Sequence, residues 1–275
     1  MAKIIVTHAG PDLDALTSIW LLRRFLPGWE RAKVNFVTAG ETFRGAPPDA
    51  DPEIVHVDTG FGRLDHHQKK EYNSAANLCL GKISKERDLK KVDREALKRL
   101  VVVVTEIDNG RDISWPETRS DRYEFMPHIF LINMPTGPDL VDLAMIVLDK
   151  IFQALKNKIR AEKTLKEEGQ VCRTRWGKAV AVATGNDQVL QEGQREGFVL
   201  IAKQDPKSGH LRIYGRFDKK VDLTRAYKEV KKKDPAATWY LHTSCCLLLN
   251  GSRHNPKMVP TKLSLDEIIS ILKKA

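Results

Sequence analysis

Six side chains in this sequence could together hold divalent cations. His8, Asp12 and Asp14 lie in the stretch Thr7-His8-Ala9-Gly10-Pro11-Asp12-Leu13-Asp14, directly after an apolar run. Asp58 closes the run Ile54 to Val57, Asp65-His66-His67 follows closely, and Asp108 stands at the end of another apolar stretch, before Asn109-Gly110. Carboxylate oxygens combined with neutral imidazole nitrogens suit Mn²⁺, Mg²⁺ or Co²⁺ better than a metal that seeks thiolates. Each piece alone has a plainer use. Asp12 could cap the following helix and Asp14 could sit at its positive end, while adjacent histidines in a strand would face opposite ways. In a loop, His66 and His67 can serve one site. Taken together, His8, Asp12, Asp14, Asp58, His66 and Asp108 read as a single metal-binding constellation.

The elements that must position them follow from periodicity. Lys3 to Thr7 reads as a short buried strand, Ala9-Gly10-Pro11 as a turn, and Leu13 to Phe25 as a helix. Val34 to Thr38 and Ile54 to Val57 add strands on either side of a loop rich in Gly, Pro and Asp, which suits a parallel α/β sheet with its functional loops at strand C-termini. Asp93 to Asp108 is ambiguous, since Glu95-Ala96-Leu97-Lys98 favours helix and Val101 to Val104 favours strand. A helix ending near Asn109-Gly110 is the expectation. After Gly137-Pro138, Leu140, Ala144, Val147, Ile151 and Leu155 recur at helical spacing and give way to charge before Gly169, as in a long connecting helix. Beyond it, strands are expected at Ala179 to Thr184, Phe198 to Ala202, Leu211 to Tyr214 and Trp239 to His242, with helices at Asp222 to Lys232 and Ser264 to Lys273. The expected fold class is α/β: a parallel-sheet domain with its connecting helix over 1–168, then a smaller α/β domain over 169–275.

The net charge of +10 is unevenly placed. Residues 1–170 hold 26 basic and 26 acidic side chains, whereas 171–275 hold 20 basic against 10 acidic, so the second domain is expected to meet an anion. The run Lys231-Lys232-Lys233 ends a helix-like segment and reads as a solvated helix terminus. Cys79 and Cys172 are isolated and Cys245 and Cys246 adjacent, which argues against a zinc ribbon or redox pair and fits reduced thiols in a cytoplasm. No signal peptide and no membrane span is expected.

In order and context these motifs, His8-x-x-x-Asp12-x-Asp14-Ala15, Asp58, Asp65-His66-His67 and Asp108, resemble the DHH phosphoesterase superfamily. The interval from Asp58 to Asp65 and the following Gln68 look closer to the exonuclease branch related to the melanocyte proliferating gene product. The first motif is more similar to family II inorganic pyrophosphatases. The resemblance implies a DHH-type N-terminal domain and two divalent ions, Mn²⁺ foremost with Mg²⁺ or Co²⁺ as alternatives. It assigns His8 and Asp12 to one ion, Asp14 and His66 to the other, and Asp58 and Asp108 to both. It further implies that His67 approaches the substrate and Asp65 orients a neighbouring histidine.

In the second domain, His242 and the run Ser252-Arg253-His254-Asn255-Pro256-Lys257 gather donors around a glycine turn. Arg offers a forked donor and Lys a compact charge, so His242, Ser252, Arg253, His254 and Lys257 form a candidate phosphate clamp. Ser252-Arg253-His254 resembles the Ser-Arg-Lys run of family II pyrophosphatases, with His254 where that run has Lys. A polar surface hairpin is the plainer account of the same residues. The implied function is a phosphoesterase hydrolysing a phosphodiester in a short oligonucleotide or small nucleotide, with a two-metal-activated water. The alternatives are an inorganic pyrophosphatase or nucleoside polyphosphate hydrolase, and a non-catalytic nucleic-acid-binding protein with a structural metal site.

Overall fold

Apolar and β-branched residues from Ile4–His8 form β1, the central strand of a three-stranded sheet in the order β2-β1-β3, where β2 is Lys33–Val37 and β3 is Ile54–His56. Both partners run parallel to β1, with Ile4 opposite Lys33 on one side and Ile54 on the other. The computed structural model describes residues 3–132, 134–251, 255 and 257–275. The chain divides into two units, Met1–Lys156 and Asn157–Ala275.

In the first unit, α1 (Leu13–Phe25) starts at Asp12, whose carboxylate accepts from the Ala15 N–H at 3.0 Å, and buries Leu13 to Leu22 without interruption. The sequence over 75–86, for which no helix was expected, forms α2 (Ala75–Glu86), capped by Ser74. Ala75, Ala76, Cys79, Leu80 and Ile83 face its core side at helical spacing. The ambiguous segment is helical: α3 (Lys91–Asp108) buries Ala96, Leu97, Leu100, Val101, Val104 and Thr105 and leaves Val102 and Val103 exposed. Here the 3.6-residue spacing outweighs the strand preference of four valines, because one valine pair packs and the other faces water. Gly110, in the left-handed region at φ 66°, ends the helix, and short 3₁₀ turns follow at Arg111–Ser114, Pro116–Arg119 and Asp121–Phe125. The helix α4 (Pro127–Ile132) precedes α5 (Pro138–Glu168), the expected long connecting helix. In this unit α5 is tied to α1 by Asp149, which accepts from Trp20 Nε1 at 2.8 Å and pairs with Arg24 at 2.7 Å.

The second unit is built on a six-stranded mixed sheet. Its strands are β4 (Gln170–Thr174), β5 (Gly177–Ala183), β6 (Leu200–Gln204), β7 (Leu211–Gly215), β8 (Tyr240–Leu241) and β9 (Leu247–Asn250), in the order β4-β5-β6-β7-β9-β8. Among the described residues of this sheet only β5 and β6 pair in parallel, linked by the helix α6 (Gln188–Arg195). Alternation divides the faces: Ala179 and Ala181 pack with α7 (Thr224–Lys233) and α8 (Leu265–Lys274), while Val180 and Val182 pack with α6 and the end of α5. The expected strand at Trp239 to His242 shortens to Tyr240–Leu241; Trp239 is buried in the core and Tyr240 is exposed. The α/β class, the parallel N-terminal sheet and the long helix are as expected. Sequence periodicity did not anticipate β4, α6 or the extent of β9. Among the described residues, no helix is long and apolar enough to cross a membrane.

Candidate metal centre

Strand ends and helix starts bring the candidate ligands to one place. His8 is the last residue of β1, Asp12 caps α1, Asp14 lies in its first turn, and Asp108 is the last residue of α3. Asp58 lies two residues past β3 with φ at 56°. That left-handed conformation is tolerated best by Asp and Asn among residues with a side chain, and such strain tends to collect at functional sites. Gly60 and Phe61 also have positive φ, so the chain doubles back, and Asp65 and His66 follow within the same turn. The Asp58 amide donates to the Leu64 carbonyl at 3.2 Å and closes the loop.

Three groups of donors meet here: His8, Asp12 and Asp58; Asp14, His66 and Asp108; and Asp58, His66 and His67. Within each group the donor atoms lie within 4.8 Å of one another. Asp58 connects the groups. Its Oδ2 lies 3.2 Å from His8 Nε2, and its Oδ1 lies 3.5 Å from His66 Nε2 and 3.7 Å from His67 Nδ1. His66 Nε2 also lies 3.5 Å from Asp108 Oδ2 and 3.8 Å from Asp14 Oδ2. Asp14 is fully buried and accepts from the amides of Ala75 and Ala76 at 2.7 and 2.8 Å, so the start of α2 fixes both its oxygens.

The electrostatics are those of crowded like charges. Burial, then the neighbouring Asp58 charge, pushes Asp14 well above the usual carboxylate range. Burial, with the charges of Asp12 and Asp58, raises Asp108 to about 6 against the pull of His66. Burial also opposes the charge on Asp58, but the imidazoles of His66 and His8 prevail and hold it below its ordinary value. The same contacts raise His8 and His66 to about 9, each chiefly through Asp58. Asp58 Oδ1 and His66 Nε2 are buried and lack a hydrogen-bond partner among the described residues. Two buried polar atoms left open toward each other among several carboxylates fit a cation, which would satisfy both and displace the protons the histidines carry.

Asp65 and His67 form a connected pair beside the cluster. Asp65 Oδ1 accepts from the His67 amide at 3.0 Å and lies 2.7 Å from His67 Nδ1, while its Oδ2 accepts from the Phe61 amide at 2.7 Å. His67 thus presents a half-exposed ring whose Nε2 edge is not engaged by Asp65. Sequence reasoning overlooked Asn109, which donates to Asp108 Oδ2 at 3.1 Å and to the Asn73 carbonyl at 2.9 Å. It also overlooked Ser74, the cap of α2. A serine ahead of apolar residues at helical spacing was the legible signal for that helix.

The C-terminal candidates are differently placed. His242 follows β8, and its Nδ1 lies 2.8 Å from Ser244 Oγ. Lys257 is exposed, and Ser252, Arg253 and His254 lie outside the described residues. Asn250 is buried and structural: it donates to the carbonyls of Thr238 and Val259, each at 2.9 Å, and accepts from the Thr261 amide at 2.7 Å.

The motif order and the clustered donors resemble the DHH phosphoesterase superfamily. No family model matches the chain, and no curated protein does. Among solved structures, it is similar to a DHH-domain member of the S1p family of ribosomal proteins, at 12% identity and a TM-score of 0.34, over 99% of this chain and 86% of that one. It is also similar to an exopolyphosphatase-related protein from Bacteroides fragilis, at 12% identity and a TM-score of 0.25, over 99% and 91% of the two chains. RecJ from Thermus thermophilus in complex with Mn²⁺ is a further match, at 12% identity and a TM-score of 0.31, over 99% of this chain. This chain spans about half of RecJ, 52% of its length.

Proposed function

We propose that this protein is a divalent-metal-dependent phosphohydrolase of the DHH type that cleaves a phosphodiester in a short oligonucleotide or small nucleotide. The observation that carries this reading is Asp58, a buried carboxylate shared between donor groups, whose Oδ1 faces His66 Nε2 without a hydrogen bond to it. His8, Asp12 and Asp58 would hold one ion, and Asp14, His66 and Asp108 the other, with Asp58 between them. Such ions, Mn²⁺ foremost and Mg²⁺ or Co²⁺ next, would supply Lewis acidity and an activated water.

The chain's own residues supply the rest. Asp14 is locked by two amides and keeps its oxygens fixed as substrate enters. Asp65 holds the His67 ring through Nδ1, which leaves Nε2 to meet a phosphoryl oxygen or to return a proton to the leaving oxygen. No covalent intermediate with the protein is needed.

The test is product release from pyrophosphate, nucleoside polyphosphates, cyclic dinucleotides and short RNA or DNA, with and without Mn²⁺, in wild type and Asp58→Asn. Asn retains the left-handed backbone at 58 and removes the charge. Turnover that requires Mn²⁺ and disappears in the variant is expected, and the substrate preferred reports the branch. An absence of turnover across the panel, with nucleic-acid binding that persists after metal removal, would instead support the non-catalytic alternative.

A further inference from the structure

The surplus of positive charge lies after residue 170, in the second unit, whereas every candidate metal ligand lies in the first. Part of that surplus gathers at one end of the six-stranded sheet. There β7 finishes at Gly215, opposite Leu200 at the start of β6, and Leu247 opens β9 opposite Tyr214. The candidate phosphate clamp leaves the sheet from the other end, after Asn250, which stands opposite Leu211.

A cavity of about 750 Å³ opens at this end, entirely within the second unit. Tyr214 and Leu247 line it from the sheet, Gln194 and Arg195 from α6, and Arg216 and Phe217 from the turn that follows β7. Tyr214 and Leu247 are cross-strand partners and share a face, while Ile213 and Leu248, on the opposite face, are buried in the core. The volume falls within the range of about 300–1,000 Å³ usual for ligand clefts.

The chemistry of the lining favours nucleic acid. Phe217 is 81% exposed at the head of the 3₁₀ turn Phe217–Lys219. A lone exposed phenylalanine is ordinary, but this one borders a cavity that Tyr214 also lines, so two aromatic rings are offered to one occupant. The Gln194 side chain makes no hydrogen bond among the described residues, and its amide can both donate to and accept from a base edge. The segment Arg216-Phe217-Asp218-Lys219-Lys220 holds three cations and one carboxylate, and Asp218 is taken by Arg216 at 2.7 Å. Lys219 and Lys220 have no carboxylate within salt-bridge distance among the described residues, and both close the same turn, through their amides on the carbonyls of Arg216 and Phe217. An exposed ring beside uncompensated lysines matches the alternation of flat bases and charged phosphates along a single strand.

We propose that this end of the second unit binds single-stranded nucleic acid, with one base stacked on Phe217 at the cavity and the flanking phosphates on Lys219 and Lys220. The surface is separate from the metal centre, and the proposal holds whether or not that centre hydrolyses a phosphodiester.

Fluorescence anisotropy in chelator, where metal-dependent cleavage is silent, would measure binding of a labelled oligonucleotide of about 12 thymidines, within the site sizes that single-strand binders use. The proteins compared are wild type, Asp58→Asn, Phe217→Ala, Phe217→Trp and the double variant Lys219→Ala with Lys220→Ala. Phe217→Ala should weaken binding about tenfold, and Phe217→Trp, which keeps a stacking face, should bind as the wild type does. The double variant should lower the slope of log affinity against log salt by about 1.4, the share of two phosphate contacts on a single strand. Asp58→Asn should leave affinity unchanged, which separates this surface from the metal centre, and a duplex of the same length should compete poorly. Thermal melts of the variants should match the wild type, since the replaced side chains are exposed. No binding by the wild type at low salt, or Phe217→Ala binding as tightly as the wild type, would overturn the proposal. Equal competition by duplex and single strand would also overturn it, because the surface would then respond to charge alone.

Discussion

Asp58 in the first unit and Asp187 in the second are both carboxylates set among charged neighbours, and their surroundings are opposite. Asp187 meets Lys203 Nζ at 2.5 Å and Arg212 at 3.0 Å, and although burial opposes its charge, these cations hold it below the usual carboxylate range. Lys203 is itself buried, and with Arg212 it gives Asp187 more than one fixed counter-charge, so this carboxylate needs no added cation. Asp58 is surrounded by carboxylates that raise one another and by imidazoles that carry its counter-charge only as protons. Charges that come with a fixed partner act as structure. Like charges gathered without a fixed partner wait for a cation, at a cost to the fold.

The sharpest way to break this comparison is to neutralise each carboxylate. Asp58→Asn should abolish metal-dependent turnover and leave the ion-free protein folded. Asp187→Asn should leave turnover per folded molecule unchanged and destabilise the protein by about 1 kcal/mol, because buried Lys203 loses its nearest counter-charge while solvent at the part-exposed Asp187 screens the pair. Denaturant melts and Mn²⁺-dependent rates of both variants measure this; a stable Asp187→Asn protein would remove the distinction.

His67→Ala is expected to slow turnover about 100-fold with little change in Mn²⁺ affinity, since His67 borders Asp58 and His66 but its Nδ1 is engaged by Asp65. A large fall in metal affinity at unchanged rate would make His67 a ligand rather than a proton carrier.

A smaller effect concerns pH. In chelator, His8 and His66 have folded values of about 9 against an ordinary 6.5, so the stability they contribute is complete below about pH 6.5 and is lost as pH rises through 9. Asp108, raised to about 6, adds a loss in the same direction between its ordinary value of 3.8 and that point. The melting temperature of the ion-free protein should therefore fall from pH 6 to 9. Mn²⁺ should flatten or reverse the trend, because binding expels these protons and strengthens as pH rises. A melting temperature that climbs with pH in chelator would contradict the cluster's electrostatics.

Much of the fold was legible because it is local. Asp12 before Leu13 marked the start of α1, Gly110 marked the end of α3, and the spacing from Leu140 to Leu155 marked α5. Other elements were not, for identifiable reasons. The signal of α2 lay in small residues, Ala75 and Ala76, which resemble a loop in composition, and β4 opens with Gln170 and carries Arg173, so it lacks an apolar run. At the candidate site, the ligand types and their places at strand and helix ends could be read from order and chemistry. The amides of Ala75 and Ala76 on Asp14 and the bond from Asn109 to Asp108 could not.

By itself the sequence determined which donors exist, that they follow strands or end helices, and that the excess positive charge lies after residue 170. These are properties of neighbouring residues and of hydrophobic period. Only the tertiary structure decided that His8, 50 residues before Asp58, would come within 3.2 Å of it, and that one oxygen of Asp58 would be buried without a hydrogen bond. Residues that distant meet through the packing of whole elements, and no local spacing encodes which atoms are left open when they do.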